Sequence, residues 1–274
     1  MSKYDKFEFF AVKQDGLVLE ITINRPNERN AITFPMEDEF EVLLKIATDD
    51  DSVRVVTLRG AGKVFSAGHD LKEVAEGYIK NAKPSGRDPH RIPKLRYWWY
   101  FPKPIIVGVH EYVGPIAVDL VAHADFVIAA EGTKFSFEQA RMGASVIHWS
   151  PLVFLLPMRV WKKLTMMGGW FTAEQAMKWD FVQRVVPRED LDKTVRAWAN
   201  EIAQVPPEQT KSARIGIHRQ YELMGLANMA LVQNQYPGHG AEVDREFFRR
   251  VLKDGVGKAI RFRQTNSDSS ITQV

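Results

Sequence analysis

Two stretches of this sequence have the build of an anion-stabilising turn. In Val64-Phe65-Ser66-Ala67-Gly68-His69-Asp70-Leu71-Lys72-Glu73, an apolar run meets a glycine and then a helical start. Gly68 permits a turn that would strain other residues. The amides of His69 and Asp70 follow at a helix N-terminus, where unpaired N–H groups and the helix dipole stabilise negative charge. The second stretch is His110-Glu111-Tyr112-Val113-Gly114-Pro115-Ile116-Ala117-Val118-Asp119. Here Gly114-Pro115 makes the turn and Ile116 brings the amide that opens the next helix, because Pro115 has no N–H but suits a helix start. Asp119 then lies on an apolar helical face, IAVDLVAHA. Burying a carboxylate is costly, so its presence calls for a reason, either a buried ion pair or proton transfer. Burial would raise its pKa from roughly 3.9 toward the range useful for exchanging protons.

The elements that must position these residues follow from apolar periodicity. FEFFAV and LVLEITI flank Asp15-Gly16 and read as a β-hairpin. A helical pattern after Asn24-Arg25-Pro26 places Phe40, Leu43, Leu44 and Ala47 on one face. Val53–Leu58, Ile105–Val109, Phe126–Ala130 and Val182–Val186 read as strands, and Ile116–Ala124 as a short helix. Residues 80–93, with Pro84, Gly86 and Pro89 among charges, read as a loop. Pro151–Met167 reads as an apolar, Trp-bearing helix, and Thr172-Ala173-Glu174-Gln175 as a helix start. From Glu189 onward only helical patterns appear, apart from a loop around Tyr236-Pro237-Gly238. Strands alternating with helices and then an all-helical tail indicate an α/β fold. We divide it into a core over residues 1–204 and a C-terminal helical region over 205–274.

Composition narrows the chemistry. The chain has 274 residues, 45% hydrophobic and 26% charged, an ordinary globular balance that suits one large domain, or one domain with a helical appendage. The net charge of +3 comes from dispersed Lys and Arg, which gives nucleic-acid binding little support and suits a phosphate-bearing ligand equally well. Cysteine is absent, so disulfides, thiolate nucleophiles and Cys-ligated metals are excluded. The start MSKYDKFEFF has no apolar signal core, and no stretch approaches the roughly 18 apolar residues of a membrane helix. A cytoplasmic protein is expected. Ser66 lacks the G-x-S-x-G frame, His110-Glu111 has no second His at Gly114, and no GxxxxGK[ST] loop occurs.

Four segments in order resemble the crotonase (enoyl-CoA hydratase/isomerase) superfamily: NRPNERNAIT, FSAGHDLKE, ADFVIAAEGTKFSF and WFTAEQAMKWDFVQRVVP. The resemblance covers about residues 8 to 260. It implies a crotonase-like spiral of ββα turns with a C-terminal helical oligomerisation region, assembled as a homotrimer or a dimer of trimers. It also implies an acyl-CoA thioester as substrate, with CoA part of the substrate and no further cofactor or metal. The family's oxyanion hole, matched residue by residue, falls on the amides of His69 and Ile116. A thioester enolate concentrates charge on one oxygen, and two preorganised amides in a dry site are worth several kcal/mol.

The departures matter as much. Family hydratases carry a Gly-Gly-Gly run where this chain has Pro115-Ile116-Ala117. Their two glutamates match Asp119 and Gln139, and Gln139 cannot exchange a proton near neutral pH. Dienoyl-CoA isomerases also have an Asp at the first position, whereas hydroxycinnamoyl-CoA hydratase-lyases lose the first acid and keep the second. The substitute for the second acid is sought in Glu138, the neighbour of Gln139, or in His148, within a segment that lines the acyl pocket in the family. For Glu138 the alternative is a surface carboxylate, and for His148 a structural imidazole. Trp98, Trp99, Gln139 and Trp149 are candidates for the acyl pocket, with core packing or a subunit contact as the alternative for the tryptophans. Arg25, Arg29, Ala67 and Lys72 are candidates for the CoA site, the charged ones also readable as solvated surface groups. The expected activity is that of an acyl-CoA hydratase/isomerase-type lyase on a 2-enoyl or related, bulky or cyclic acyl group. The alternatives are carbon–carbon hydrolysis or decarboxylation of a 3-oxo substrate, or acyl-CoA binding without catalysis.

Overall fold

The computed structural model describes residues 3–80, 96–142, 149–229, 242–264 and 273. Strands β1 (Phe10–Asp15) and β2 (Val18–Ile23) form the expected hairpin, paired antiparallel in the register Phe10↔Ile23 to Asp15↔Val18. Helix α1 (Phe34–Thr48) is N-capped by the Thr33 hydroxyl, which accepts from the Met36 amide. It buries Met36, Phe40, Leu43, Leu44 and Ala47, the face read from the sequence together with Met36. Strand β3 (Val55–Gly60) is followed by α2 (Leu71–Lys80) and the five-residue α3 (Arg96–Tyr100). Then come β4 (Ile105–Val109), the two-residue β5 (Tyr112–Val113), α4 (Pro115–Ala122), β6 (Phe126–Ala130) and β7 (Lys134–Ser136).

The order β1-β2-β3-β4-β6 makes a sheet that is parallel beyond its first hairpin. Alternation sorts its side chains: Val56, Leu58, Ile105, Val107, Val127 and Ala129 join one core, while Val55, Ile106, Ile128 and Ala130 join another on the opposite face. With both faces buried, these strands read as unbroken apolar runs, which is why the sequence reveals them.

The apolar stretch after Pro151 is two helices rather than one, α5 (Leu152–Leu155) and α6 (Met158–Met167). Pro157 explains the break, because the residue before a proline is pushed out of the helical region and Leu156 sits at φ −109°, ψ 142°. Strand β8 (Trp170–Thr172) leads into α7 (Ala173–Lys178) through a reciprocal capping box between Thr172 and Gln175. Strand β9 (Arg184–Val186) completes the large sheet beside β6. Strands β5, β7 and β8 form a second, three-stranded sheet that two- and three-residue segments do not announce in sequence.

Helix α8 (Leu191–Ala203) covers the second core with Leu191, Val195, Ala199 and Ala203. Helices α9 (Pro207–Leu223), α10 (Glu242–Asp254) and α11 (Val256–Gln264) follow. Phe247, Phe248 and Val251 of α10 pack with Ala259 of α11 and Ala75 of α2, so these two helices return to the helix that follows the first turn. Among the described residues, no helix is long and apolar enough to cross a membrane. The loop read over 80–93 lies, beyond Lys80, outside the described residues, as does that around Tyr236-Pro237-Gly238.

Candidate active site

The two turns singled out from the sequence are pressed together. A parallel bridge joins Ser66 to Val113, and the Gly114 amide donates to the Ser66 carbonyl at 2.8 Å. A side chain at Gly114 would place its Cβ 2.1 Å from the Ala67 carbonyl oxygen, so only glycine allows this approach. Gly68 turns with φ +89°, and a Cβ there would lie 3.2 Å from Cδ of Pro115. Each turn thus needs its glycine to accommodate the other.

The first turn is held by main-chain pairing and by one buried side chain. Ile32 and His69 form a parallel bridge, with the Ile32 amide donating to Gly68 O and the Asp70 amide to Ile32 O, each at 2.8 Å. These bonds use residues 68 and 70, which directs the amide of His69 to the side away from Ile32. Asn30 is fully buried and left-handed at φ 53°, a region Asn tolerates better than most residues. Its amide group donates to the carbonyls of Ala61, Val64 and Phe65 at 2.8–3.1 Å, fixing the approach to the turn. Asp70 caps α2, its Oδ1 accepting from the amides of Lys72 at 3.1 Å and Glu73 at 3.4 Å. The His69 imidazole lies 3.2 Å from Glu37.

The second turn opens α4 with Pro115 at N1, so Ile116 provides the first amide of that helix. Ile116, Asp119 and His123 follow at spacings of three and four and share one stripe of α4. Asp119 and His123 are buried, and Ile116 is half-buried against the main core. The His123 ring donates through Nδ1 to the Asp119 carbonyl at 2.6 Å, which fixes its tautomer.

Glu138 and Gln139 lie on a short 3-10 helix, Glu138–Met142, after β7. Burial pushes the Glu138 carboxyl above its ordinary range, and the Arg141 charge opposes this only in part. Burial, with the Glu138 charge, raises the Tyr112 phenol. The Gln139 Oε1 is buried with no hydrogen-bond partner among the described residues.

The other candidates separate. Trp98 is wholly buried in the main core, 4.9 Å between ring centroids from Phe40, apart from the other two tryptophans. Trp99 instead meets Trp149 edge-on at 5.8 Å, and both face the His123 ring, at 6.1 and 5.4 Å. The Trp99–Trp149 pair therefore stands at the far end of the Asp119 stripe. Around the first turn, Arg25 lies 3.9 Å from Asp70, the Arg29 carbonyl accepts from the Ala67 amide at 2.9 Å, and Lys72 is exposed in the first turn of α2. The Arg29 guanidinium also stands 5.6 Å from the Tyr112 ring centre. His148 lies outside the described residues.

Two contributors escaped the sequence reading. One is Asn30, quoted within a motif but not read as a brace. The other is Arg214 of α9, which is buried and donates to the carbonyls of Trp98, Trp99 and Phe101 and to Asp125. His218, one turn on, stacks on Trp99 with centroids 3.7 Å apart. No sequence signal distinguishes Arg214 from the exposed basic residues of the same helix.

Paired turn-helix junctions on a spiral of this kind define a family. The chain belongs to the enoyl-CoA hydratase/isomerase family, the crotonase superfamily, whose profile matches residues 13–244. It is an enzyme of acyl-CoA processing, of the lyase or isomerase type. It is similar to the carnitinyl-CoA dehydratase of Escherichia coli K12, 31% identical over 203 residues that span 73% of this chain and 76% of that one. The carnitinyl-CoA dehydratase of Salmonella typhi is 32% identical over 207 residues, with the same coverage. Among solved structures, an enoyl-CoA hydratase/isomerase from Xanthobacter autotrophicus Py2 superposes with a TM-score of 0.84 at 26% identity, over 96% of this chain and all of that one. An enoyl-CoA hydratase from Mycobacterium smegmatis shares the fold with a TM-score of 0.85 at 24% identity, over 100% of this chain and 99% of that one.

Proposed function

We propose that the amides of His69 and Ile116 form an oxyanion hole for a 2-enoyl or 3-hydroxyacyl-CoA thioester, and that Asp119 moves the proton at the acyl α- or β-carbon. The observation that carries this is the mutual fit of the two turns, where Gly114 lies against the Ala67 carbonyl and Gly68 against Pro115. Such packing presents two amides at a fixed separation before substrate arrives, the condition under which hydrogen bonds to a developing enolate lower a barrier rather than only bind. Asp119, one helical turn beyond Ile116 and buried, has the chemistry for proton transfer. Glu138, its carboxyl raised by burial, is the partner acid where the family uses a glutamate and this chain has Gln139. The dehydratases similar in sequence support addition or loss of a group at the β-carbon. CoA is part of the substrate, and the proposal needs no further cofactor. Arg25, Arg29, Ala67 and Lys72 would receive the CoA portion, while Trp99 and Trp149 would bound a bulky acyl group. Exposed apolar residues on and just after α9, Ile217, Leu223 and Met224, support self-association through the C-terminal helices.

Gln139 supports a second reading, carbon–carbon cleavage of a 3-oxo thioester, which needs an enolate stabilised but can dispense with a second carboxylate at that position. Titration with a panel of 2-enoyl, 3-hydroxyacyl and 3-oxoacyl-CoA thioesters, followed by product analysis, separates the two. Asp119→Asn is expected to bind the thioester as before and to lose about a hundredfold or more in single-turnover rate. No binding of any acyl-CoA by folded protein would refute the proposal, and near-full turnover in Asp119→Asn would move the proton carrier elsewhere.

A further inference from the structure

We infer that the Ser66 hydroxyl is a positioning residue that sets the separation of the two amides, an inference that rests on the oxyanion-hole reading above. Ser66 is completely buried, and every polar atom it has is engaged. Its Oγ donates to the Asn30 carbonyl at 2.7 Å and accepts from the Gly68 amide at 3.1 Å. Its carbonyl accepts from the Gly114 amide at 2.8 Å, and its own amide donates to the Tyr112 carbonyl at 3.3 Å. One residue therefore touches the main chain on both sides of the hole, immediately before each donor segment.

The hydroxyl does something the backbone cannot. Gly68 has left-handed φ, and the unit that follows it carries the His69 amide. Bonding the Gly68 amide to Ser66 Oγ closes a local ring over the turn, and the outgoing bond to Asn30 stops that oxygen from rotating. Asn30 is tied through its side chain to the carbonyls of residues 61, 64 and 65, so the chain of bonds ends in a rigid anchor. Alanine at position 66 keeps the bridge to Val113 and the bond from Gly114, because both are main-chain interactions. It loses the tether on Gly68 and the bond to the Asn30 carbonyl that anchors it, leaving the His69 amide to swing relative to that of Ile116. Misplacement of a donor by a fraction of an ångström weakens transition-state binding more than ground-state binding.

The test uses hexadienoyl-CoA as a chromophoric probe, since polarising a conjugated thioester carbonyl shifts its absorption to the red. Wild-type enzyme should red-shift the bound probe. Ser66→Ala should bind it within about threefold of wild type, show a clearly smaller shift, and lose about tenfold in kcat with little change in KM. Ser66→Cys, which keeps a weaker donor and acceptor, should fall between the two, and stands in if the alanine variant does not fold. Arg196→Met, which removes the ion pairs to Asp15 and Glu20 of the hairpin away from both turns, should leave the shift at its wild-type value. An unaltered shift in both folded Ser66 variants overturns the inference while leaving the oxyanion-hole reading intact. A wild-type enzyme that binds the probe without any red shift overturns that reading, and the inference with it.

Discussion

Arg214→Met removes the charge of Arg214 and keeps most of its aliphatic length. Arg214 donates to three carbonyls at and just past the end of α3 (from Trp98, Trp99 and Phe101) and pairs with Asp125 at 2.8 Å. The side chains of this pair are 3% and 16% exposed, so solvent screens it little. Removing one partner of a buried pair costs about 3–5 kcal/mol, because the other charge stays behind. Asp125 retains the Ile105 amide at 2.7 Å, which moderates the loss, while the three carbonyls lose a charged donor. We take about 4 kcal/mol. An unfolding entropy of about 2.1 cal/mol/K per residue gives about 0.6 kcal/mol/K for a chain of this length, so Tm should fall by about 7 °C. Differential scanning calorimetry at matched protein concentration measures it, the concentration being held because self-association would itself shift Tm. A folded Arg214→Met protein melting within about 2 °C of wild type would show that the clamp contributes little, and the reasoning would be refuted.

Other substitutions probe the site and its surroundings. Gln139→Glu should create weak hydration of a simple 2-enoyl-CoA, seen as slow loss of enoyl absorbance, and no gain would show that residue 139 does not face the acyl group. Gly68→Ala, which must hold φ +89° and a methyl 3.2 Å from Pro115, should cost about 1–3 kcal/mol in a urea titration and lower kcat/KM with it. His218, pushed down to about 4 chiefly by burial and then by the Arg214 charge, should be neutral in the folded protein and protonated in the unfolded chain between about pH 6.5 and 4. Stability should therefore fall as pH drops through that window, by up to about 3 kcal/mol, and level off below it. His218→Phe should flatten this limb in urea midpoints measured from pH 4 to 8, and an unchanged slope would assign the acid sensitivity to other groups.

Much of this architecture could be read from residues alone, and the reasons for the exceptions are physical. β4 and β6 announced themselves because parallel strands buried on both faces are unbroken apolar runs. The face of α1 followed from 3.6-residue spacing, and α7 from a capping box. β5, β7 and β8 did not, because two or three residues carry no period. Trp98 and Trp99 read as one aromatic run, yet adjacent helix positions point about 100° apart, so one entered the main core and the other joined Trp149. The glycines at 68 and 114 were legible as turns, but only their contact showed that the two turns need each other. Arg214 was opaque for the opposite reason, since its meaning lies wholly in partners 89 to 116 positions away.

The packing of Gly114 on Ala67 has a consequence for how such a protein can change. The groups we assign to the thioester oxygen belong to the main chain, so no ordinary side-chain replacement deletes them, and only proline would. Under that assignment the side chains at 116, 119 and 139 can vary while the power to activate a thioester is inherited intact. A mutational library confined to those three positions should therefore yield many folded proteins that still grip acyl-CoA and differ in what they do to it. Innovation in this scaffold starts from a catalyst already half built.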